Sequence, residues 1–293
     1  MRCNLCPRLC NIDRDSARGR CGVTGYTHAR VARSMLHFWE EPGISGSNGS
    51  GAVFFSGCNL GCVYCQNEPL QPGALGRDYD APALSKLFLS LQAQGAHNVN
   101  LVTPTPHVLA LRKALRLAKD GGLTVPVVYN CGGYERVEAL RALEGLVDIY
   151  LPDIKYVSSA LAGRFSNAPD YFTFAAPAVK EMYRQVGTLR TDEMGVATRG
   201  LVVRHLVLPN CLDDSRRVLD FIAAALPHDT ALSLMRQYAP TPRAMLTPLN
   251  RTLTEREYDR IQDYALARGL TNVLIQQKES ASLDFTPTFT DYK

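Results

Sequence analysis

Three cysteines in Ser56-Gly57-Cys58-Asn59-Leu60-Gly61-Cys62-Val63-Tyr64-Cys65-Gln66-Asn67 constrain this chain more than any other feature. They follow the apolar run Ala52-Val53-Phe54-Phe55, so the CxxxCxxC loop leaves a strand. A cluster of four irons ordinarily takes four cysteine ligands. A trio with no fourth cysteine in the same loop leaves one iron open to a substrate or cofactor. Gly57 and Gly61 relieve crowding and permit unusual backbone angles, and Tyr64 offers a flat face beside the metal. A zinc knot or scattered buried thiols is the structural alternative.

Nine cysteines, seven of them within the first 65 residues, do not suit disulfide stapling of a 293-residue fold. The chain opens Met1-Arg2-Cys3 without a charged-then-apolar leader. No apolar run approaches the roughly 20 residues of a membrane span. A cytoplasmic, soluble protein is therefore expected, its thiols serving as metal ligands or reactive groups. A net charge of +4 is too mild to indicate a nucleic-acid partner.

Residues 1–30 read as a small metal-binding cap, with Cys3, Cys6, Cys10 and Cys21 as its ligands. The segment is rich in Arg and Gly and poor in apolar residues, so a metal would supply the stability its core lacks. Tetrathiolate zinc and a second iron-sulfur cluster both suit the spacing. Next come Leu36-His37-Phe38-Trp39-Glu40-Glu41-Pro42 and a Gly/Ser loop. The single tryptophan, Trp39, reads as a packing anchor. No lysine accompanies the glycines, which disfavours a nucleotide triphosphate site of the P-loop kind.

From residue 52 onward short β-rich runs alternate with longer helical ones. Strands are expected at 52–55, 98–102, 126–129, 147–151, 201–207, 231–234 and 272–275. Helices are expected at 82–94, 106–119, 135–143, 170–186, 214–226 and 255–268, the last opened by the capping box Thr254-Glu255-Arg256-Glu257. Repeated strand-then-helix order predicts an α/β fold of parallel strands joined by right-handed crossovers. No GxGxxG follows the first expected strand, which disfavours a dinucleotide fold.

The phrase GCNLGCVYCQN resembles the radical S-adenosylmethionine (SAM) superfamily, and within it the pyruvate formate-lyase activating-enzyme-like branch. The resemblance covers residues 52 to about 240. It implies a partial (β/α)6 TIM-like barrel spanning 31–293 with a C-terminal extension, behind the cysteine-rich cap. It also implies a [4Fe-4S] cluster on Cys58, Cys62 and Cys65, with SAM at the open iron.

Later strand ends carry further likenesses. Thr103-Pro104-Thr105-Pro106-His107 stands where related activases have Gly-Gly-Glu, whose backbone meets the methionine amino group of SAM; no acid is present here. Thr103 and Thr105 are replacements, or the segment is a proline-punctuated turn. Asn130, in Tyr129-Asn130-Cys131-Gly132, matches a Thr-Asn-Gly-like turn and is a SAM or cation contact, while Cys131 is a small buried residue. Asp153 and Lys155 are similar to the family's Asp-x-Lys; two apart on a strand they point the same way, toward SAM or into a surface ion pair. Arg204, in an Arg-x-x-x-x-Pro match, is placed to bind the methionine carboxylate, with His205 on the opposite, core face. Gln237 is the last SAM or substrate contact.

The resemblance implies hydrogen-atom abstraction by a 5'-deoxyadenosyl radical, with flavodoxin or ferredoxin as one-electron reductant. It implies a glycyl-radical protein as the target, with a peptide or small molecule as the alternative. An iron-sulfur electron-transfer or binding module without SAM chemistry is a third reading. No catalytic side chain is singled out.

Overall fold

The computed structural model describes residues 2–245, 248–277, 280–281 and 287–289; parts of the expected C-terminal extension lie outside them. In chain order the strands are β1 (Ala29–His37), β2 (Ser50–Phe55), β3 (Arg77–Tyr79), β4 (Val99–Val102), β5 (Val127–Cys131), β6 (Ile149–Pro152), β7 (Arg190–Thr191), β8 (Ala197–Leu206), β9 (Ala231–Met235) and β10 (Val273–Ile275). The helices are α1 (Pro42–Ser45), α2 (Ala81–Ala93), α3 (Val108–Asp120), α4 (Val137–Arg141), α5 (Ser159–Ser166), α6 (Tyr171–Val186), α7 (Leu212–Ala225) and α8 (Glu255–Ala267).

The main sheet runs β10-β9-β8-β6-β5-β4-β2-β1-β3, with β7 paired to β8 off that path. Every neighbouring pair from β10 to β2 is parallel. The edge formed by β1 and β3 is antiparallel. The two ends of the path do not pair, so the sheet is an open, mixed α/β partial barrel. Strands buried on both faces explain the apolar runs.

Alternation along the strands separates two layers. Val53, Phe55, Val99 and Leu101 face outward onto α2 and α3, and Tyr129, Tyr150, Leu201, Val203, Leu232 and Leu234 onto α4 and α6 to α8. Each large apolar side chain buried there contributes roughly 1.5–3 kcal/mol. The inward positions are apolar at one end, where Val128, Ile149, Val202 and Ala231 surround Ile44. Nearer the strands' carboxyl ends they become polar.

The expected capping box is present on α8: Thr254 accepts from Glu257 N, and the Glu257 side chain accepts from Thr254 N at 3.0 Å. Asp80 caps α2 by accepting from Ala83 N. Two expectations fail here. The nine residues of β1, where no strand is expected from the sequence, form an antiparallel strand beside β2. Trp39 is not a packing anchor but 64% exposed. The chain turns after β1 so that Glu40 and Glu41, not the indole, enter the barrel. Among the described residues no helix is long and apolar enough to cross a membrane.

Candidate functional site

The cysteine loop leaves the carboxyl end of β2. Gly57 adopts φ +94°, and a Cβ there would stand 2.7 Å from the Cys21 carbonyl oxygen, so only glycine lets the loop and the cap touch. Cys62 is buried, while Cys58 and Cys65 are half-buried. Burial pushes the Cys65 thiol up to about 11, with Cys62 adding to it, and pushes Cys58 up further, where Cys62 and Cys65 reinforce it. Lys155 stands close enough to work against both rises. The loop is pinned by Gln71 Nε2 donating to Cys62 O at 3.1 Å and by a Cys62 Sγ to Ser166 Oγ contact of 2.9 Å. At its root, the buried His107 meets Ser56 O at 2.9 Å; burial lowers this imidazole to about 4, so it is neutral at pH 7.

Among the described residues no three His, Cys, Asp or Glu side chains converge on a point that one metal ion could occupy. A polynuclear cluster imposes a different demand, because its thiolates bind separate irons. Three mutually close thiols around an open loop fit that donor set.

Below the loop, Arg204 joins several of the expected residues. Its Nε donates to Asp153 Oδ1 at 2.9 Å, its Nη2 to Asn130 Oδ1 at 2.6 Å, and its Nη1 lies 3.4 Å from Glu40 Oε2. Lys155 Nζ donates to Asp153 Oδ2 at 2.6 Å. All four charged side chains are 11–15% exposed, so Asp153 and Lys155 are no surface pair. Burial opposes the charge on Asp153, but Arg204 and Lys155 together hold its carboxyl below the usual range. His205 faces the opposite way, bonded to Ile154 O at 2.7 Å and Ser215 Oγ at 2.9 Å, and Cys131 is buried.

Thr103 sits at φ +61°, a strained conformation for a β-branched residue, and its N–H donates to Asn130 O at 2.9 Å. The structure therefore bends the backbone sharply at the Gly-Gly-Glu position, and it brings an acid there from the next loop. Thr105 donates its hydroxyl to Glu135 Oε1, and Tyr129 OH lies 3.4 Å from Glu135 Oε2. Tyr64 is buried, with its hydroxyl 2.5 Å from that of Tyr156. Gln237 stands apart from Arg204: its Oε1 accepts from Gln276 Nε2 at 2.9 Å.

Sequence reasoning missed Glu40, Glu41, Glu135 and Tyr171. Glu40 Oε1 accepts from Asn100 at 3.2 Å and Asn130 at 3.1 Å. Tyr171 OH contacts Gly132 O at 2.8 Å and Asp153 O at 2.7 Å, clamping two strand ends. The only early hint was a pair of acids beside the tryptophan.

Burial pushes the Glu135 carboxyl up to about 8 against its ordinary 4.5, despite bonds from Thr105 and Tyr129. A raised carboxyl stabilises the fold fully below its unfolded pKa and loses that stability as pH rises through the folded value. Wild type should lose stability relative to Glu135→Gln between pH 4.5 and about 8, by on the order of 3–5 kcal/mol. Thermal melts at several pH values measure it; parallel curves for the two proteins exclude this account.

The cap lies on the loops after β2, β4 and β5. Arg8 Nε donates to Asn59 O at 2.7 Å and its guanidinium stands 5.1 Å from the Tyr134 ring centroid. Arg14, 1% exposed, donates to Pro106 O at 2.8 Å, and Arg136 donates to Asn4 O at 2.6 Å. Cys3 and Cys21 are buried, Cys6 and Cys10 half-buried. Burial pushes Cys6 up to about 12, with Cys21 and Cys10 adding to the rise. Cys21 in turn stands near Cys3 and Cys10.

No known protein family's profile matches the chain. Protein MJ0674 of Methanocaldococcus jannaschii is 28% identical over 274 residues, covering 90% of this chain and 74% of that protein. Crystal structures of Streptococcus suis SuiB, one bound to precursor peptide SuiA and one to SAM, superpose with TM-scores of 0.52 at 11% and 12% identity. The chain shares the SuiB fold. The match covers 76% of this chain and 47% and 49% of SuiB, so the chain spans about half of SuiB's length. Where the two correspond, both carry a mixed α/β sheet with parallel strands.

Proposed function

We propose that this protein is a radical SAM enzyme. The observation that carries the reading is the CxxxCxxC loop standing over Asp153, Lys155, Arg204 and Asn130 at the carboxyl ends of the strands. That end is where barrels of this type place their chemistry, and SuiB binds SAM on the same fold. A [4Fe-4S] cluster and SAM, when bound, would supply the radical chemistry of hydrogen-atom abstraction on one-electron reduction. The protein holds and shields that chemistry.

Cys58, Cys62 and Cys65 would hold the cluster. Arg204 would present its fork to the SAM carboxylate, exchanging bonds now made within the chain. Asp153 and Lys155 would fix the polar side of the cofactor, and the bend at Thr103 would aim backbone groups at it. Buried Tyr64 and Tyr156 keep water from the loop. The cap thiols would hold a second iron-sulfur cluster, the alternative to zinc, whose contact through Cys21 and Gly57 suits an electron path from flavodoxin or ferredoxin.

The finer reading is activation of a glycyl-radical protein. A peptide substrate is the second, favoured by the departure from Gly-Gly-Glu at Thr103 and by the precursor peptide bound to SuiB. The test is anaerobic reconstitution of the full chain, with iron and zinc counted and the reduced cluster's EPR recorded with and without SAM. A SAM-induced spectral change is expected. No change would leave an iron-sulfur module without SAM chemistry.

A further inference from the structure

The segment after β1 inserts two carboxylates into the barrel from the side opposite the cysteine loop. Glu40 is anchored by Asn100, Asn130 and Arg204. Glu41 has a buried Oε2 with no hydrogen-bond donor, and so has Oδ1 of the fully buried Asn100, whose Nδ2 holds Glu40. Among the described residues, the charges gathered around Arg204 are two cations, Arg204 and Lys155, and three carboxylates, Asp153, Glu40 and Glu41. With all three carboxylates ionised the interior is one charge negative. Burial raises the Glu40 and Glu41 carboxyls against that ionisation while Arg204 lowers them, so in the empty interior a proton competes for the place of a cationic ligand. Two acceptors, Glu41 Oε2 and Asn100 Oδ1, remain without a donor.

An enclosed surplus charge is costly unless something neutralises it. SAM carries an ammonium, a carboxylate and a sulfonium, a net charge of one positive. S-adenosylhomocysteine has the same groups but a neutral thioether in place of the sulfonium, and a net charge of zero. We infer that Glu40 and Glu41 are specificity residues that set the interior one charge negative, so that it selects the sulfonium cofactor over its neutral thioether. The inference rests on the radical SAM reading.

The two ligands share their hydrogen-bonding groups and differ by the sulfonium's methyl and its charge; of these, only the charge is felt by a carboxylate that does not touch it. A unit charge acting over about 10 Å at an effective dielectric of about 20 changes an equilibrium constant on the order of tenfold. The experiment is anaerobic equilibrium binding of SAM and of S-adenosylhomocysteine to the reconstituted full chain, as wild type, Glu40→Gln and Glu41→Gln. Wild type is expected to prefer SAM. Each substitution should reduce that preference roughly tenfold, with S-adenosylhomocysteine affinity changing less than about twofold.

Glu41→Gln keeps the argument testable if Glu40→Gln folds poorly, because Glu41 Oε2 has no donor to lose. An unchanged ratio, or equal weakening of both ligands, overturns the inference while leaving the radical SAM reading intact. Failure of wild type to bind either ligand overturns both.

Discussion

Cys58→Ala abolishes reductive SAM cleavage, while the barrel stays folded. The substitution removes one thiolate from a loop in which no other cysteine can take its place, since the cap thiols are held by their own backbone bonds, such as Cys3 N to Ile12 O at 2.7 Å. An alanine side chain adds no volume after Gly57, and the local loss is the Leu60 N to Cys58 Sγ contact of 3.4 Å. Of the two thiols left, Cys65 must give up a proton that its burial disfavours releasing, which gives it no spare affinity to make good the loss. The expected loss in 5'-deoxyadenosine formation is at least about a thousandfold, or about 4 kcal/mol. Iron content should fall by one cluster, with an unchanged far-ultraviolet circular dichroism spectrum. Retained 5'-deoxyadenosine formation would remove the loop from the mechanism.

Arg204→Ala should be the most destabilising single change inside the barrel. Arg204 serves Asp153, Asn130 and Glu40 together, and its removal leaves three buried carboxylates facing one lysine. Breaking such a pair from one side costs about 3–5 kcal/mol, because the abandoned charge remains buried. At roughly 2–4 °C per kcal/mol for a chain of this order of size, the melting temperature falls by about 6–20 °C. Arg204→Lys falls between, since a single ammonium cannot span three partners in the guanidinium's fork. Adding Glu40→Gln to Arg204→Ala should recover part of the loss. A melting temperature within about 2 °C of wild type would mean the carboxylates find other compensation.

The parallel strands were legible because strands covered on both faces read as unbroken apolar runs, as in Ala52 to Phe55 and Leu201 to Val203. The inward and outward faces of Arg204 and His205 followed from alternation alone. Strand β1 was not legible: Arg30, Arg33 and Ser34 interrupt it, and its pairing with β2 is a tertiary fact. Glu40 was hidden for a related reason, since its partners Asn100, Asn130 and Arg204 lie 60, 90 and 164 residues away. Glu135 reaches the Thr105 hydroxyl from another loop, where no spacing rule could find it. Trp39 was misread because burial was inferred from residue type, while the neighbouring carboxylates held the inward position.

The Glu40 to Arg204 contact also sets an order of events during synthesis. At translation rates of about 5–20 residues per second, the 164 residues between them take roughly 8–33 s to make. During that interval the cluster-loop cysteines are made and join those of the cap while the charge that completes the interior does not yet exist. The nascent chain therefore carries seven thiols ahead of the strands that enclose them. Metal loading before β8 forms would meet the cysteine loop without the polar strand end that Arg204 later supplies beside Asp153 and Asn130.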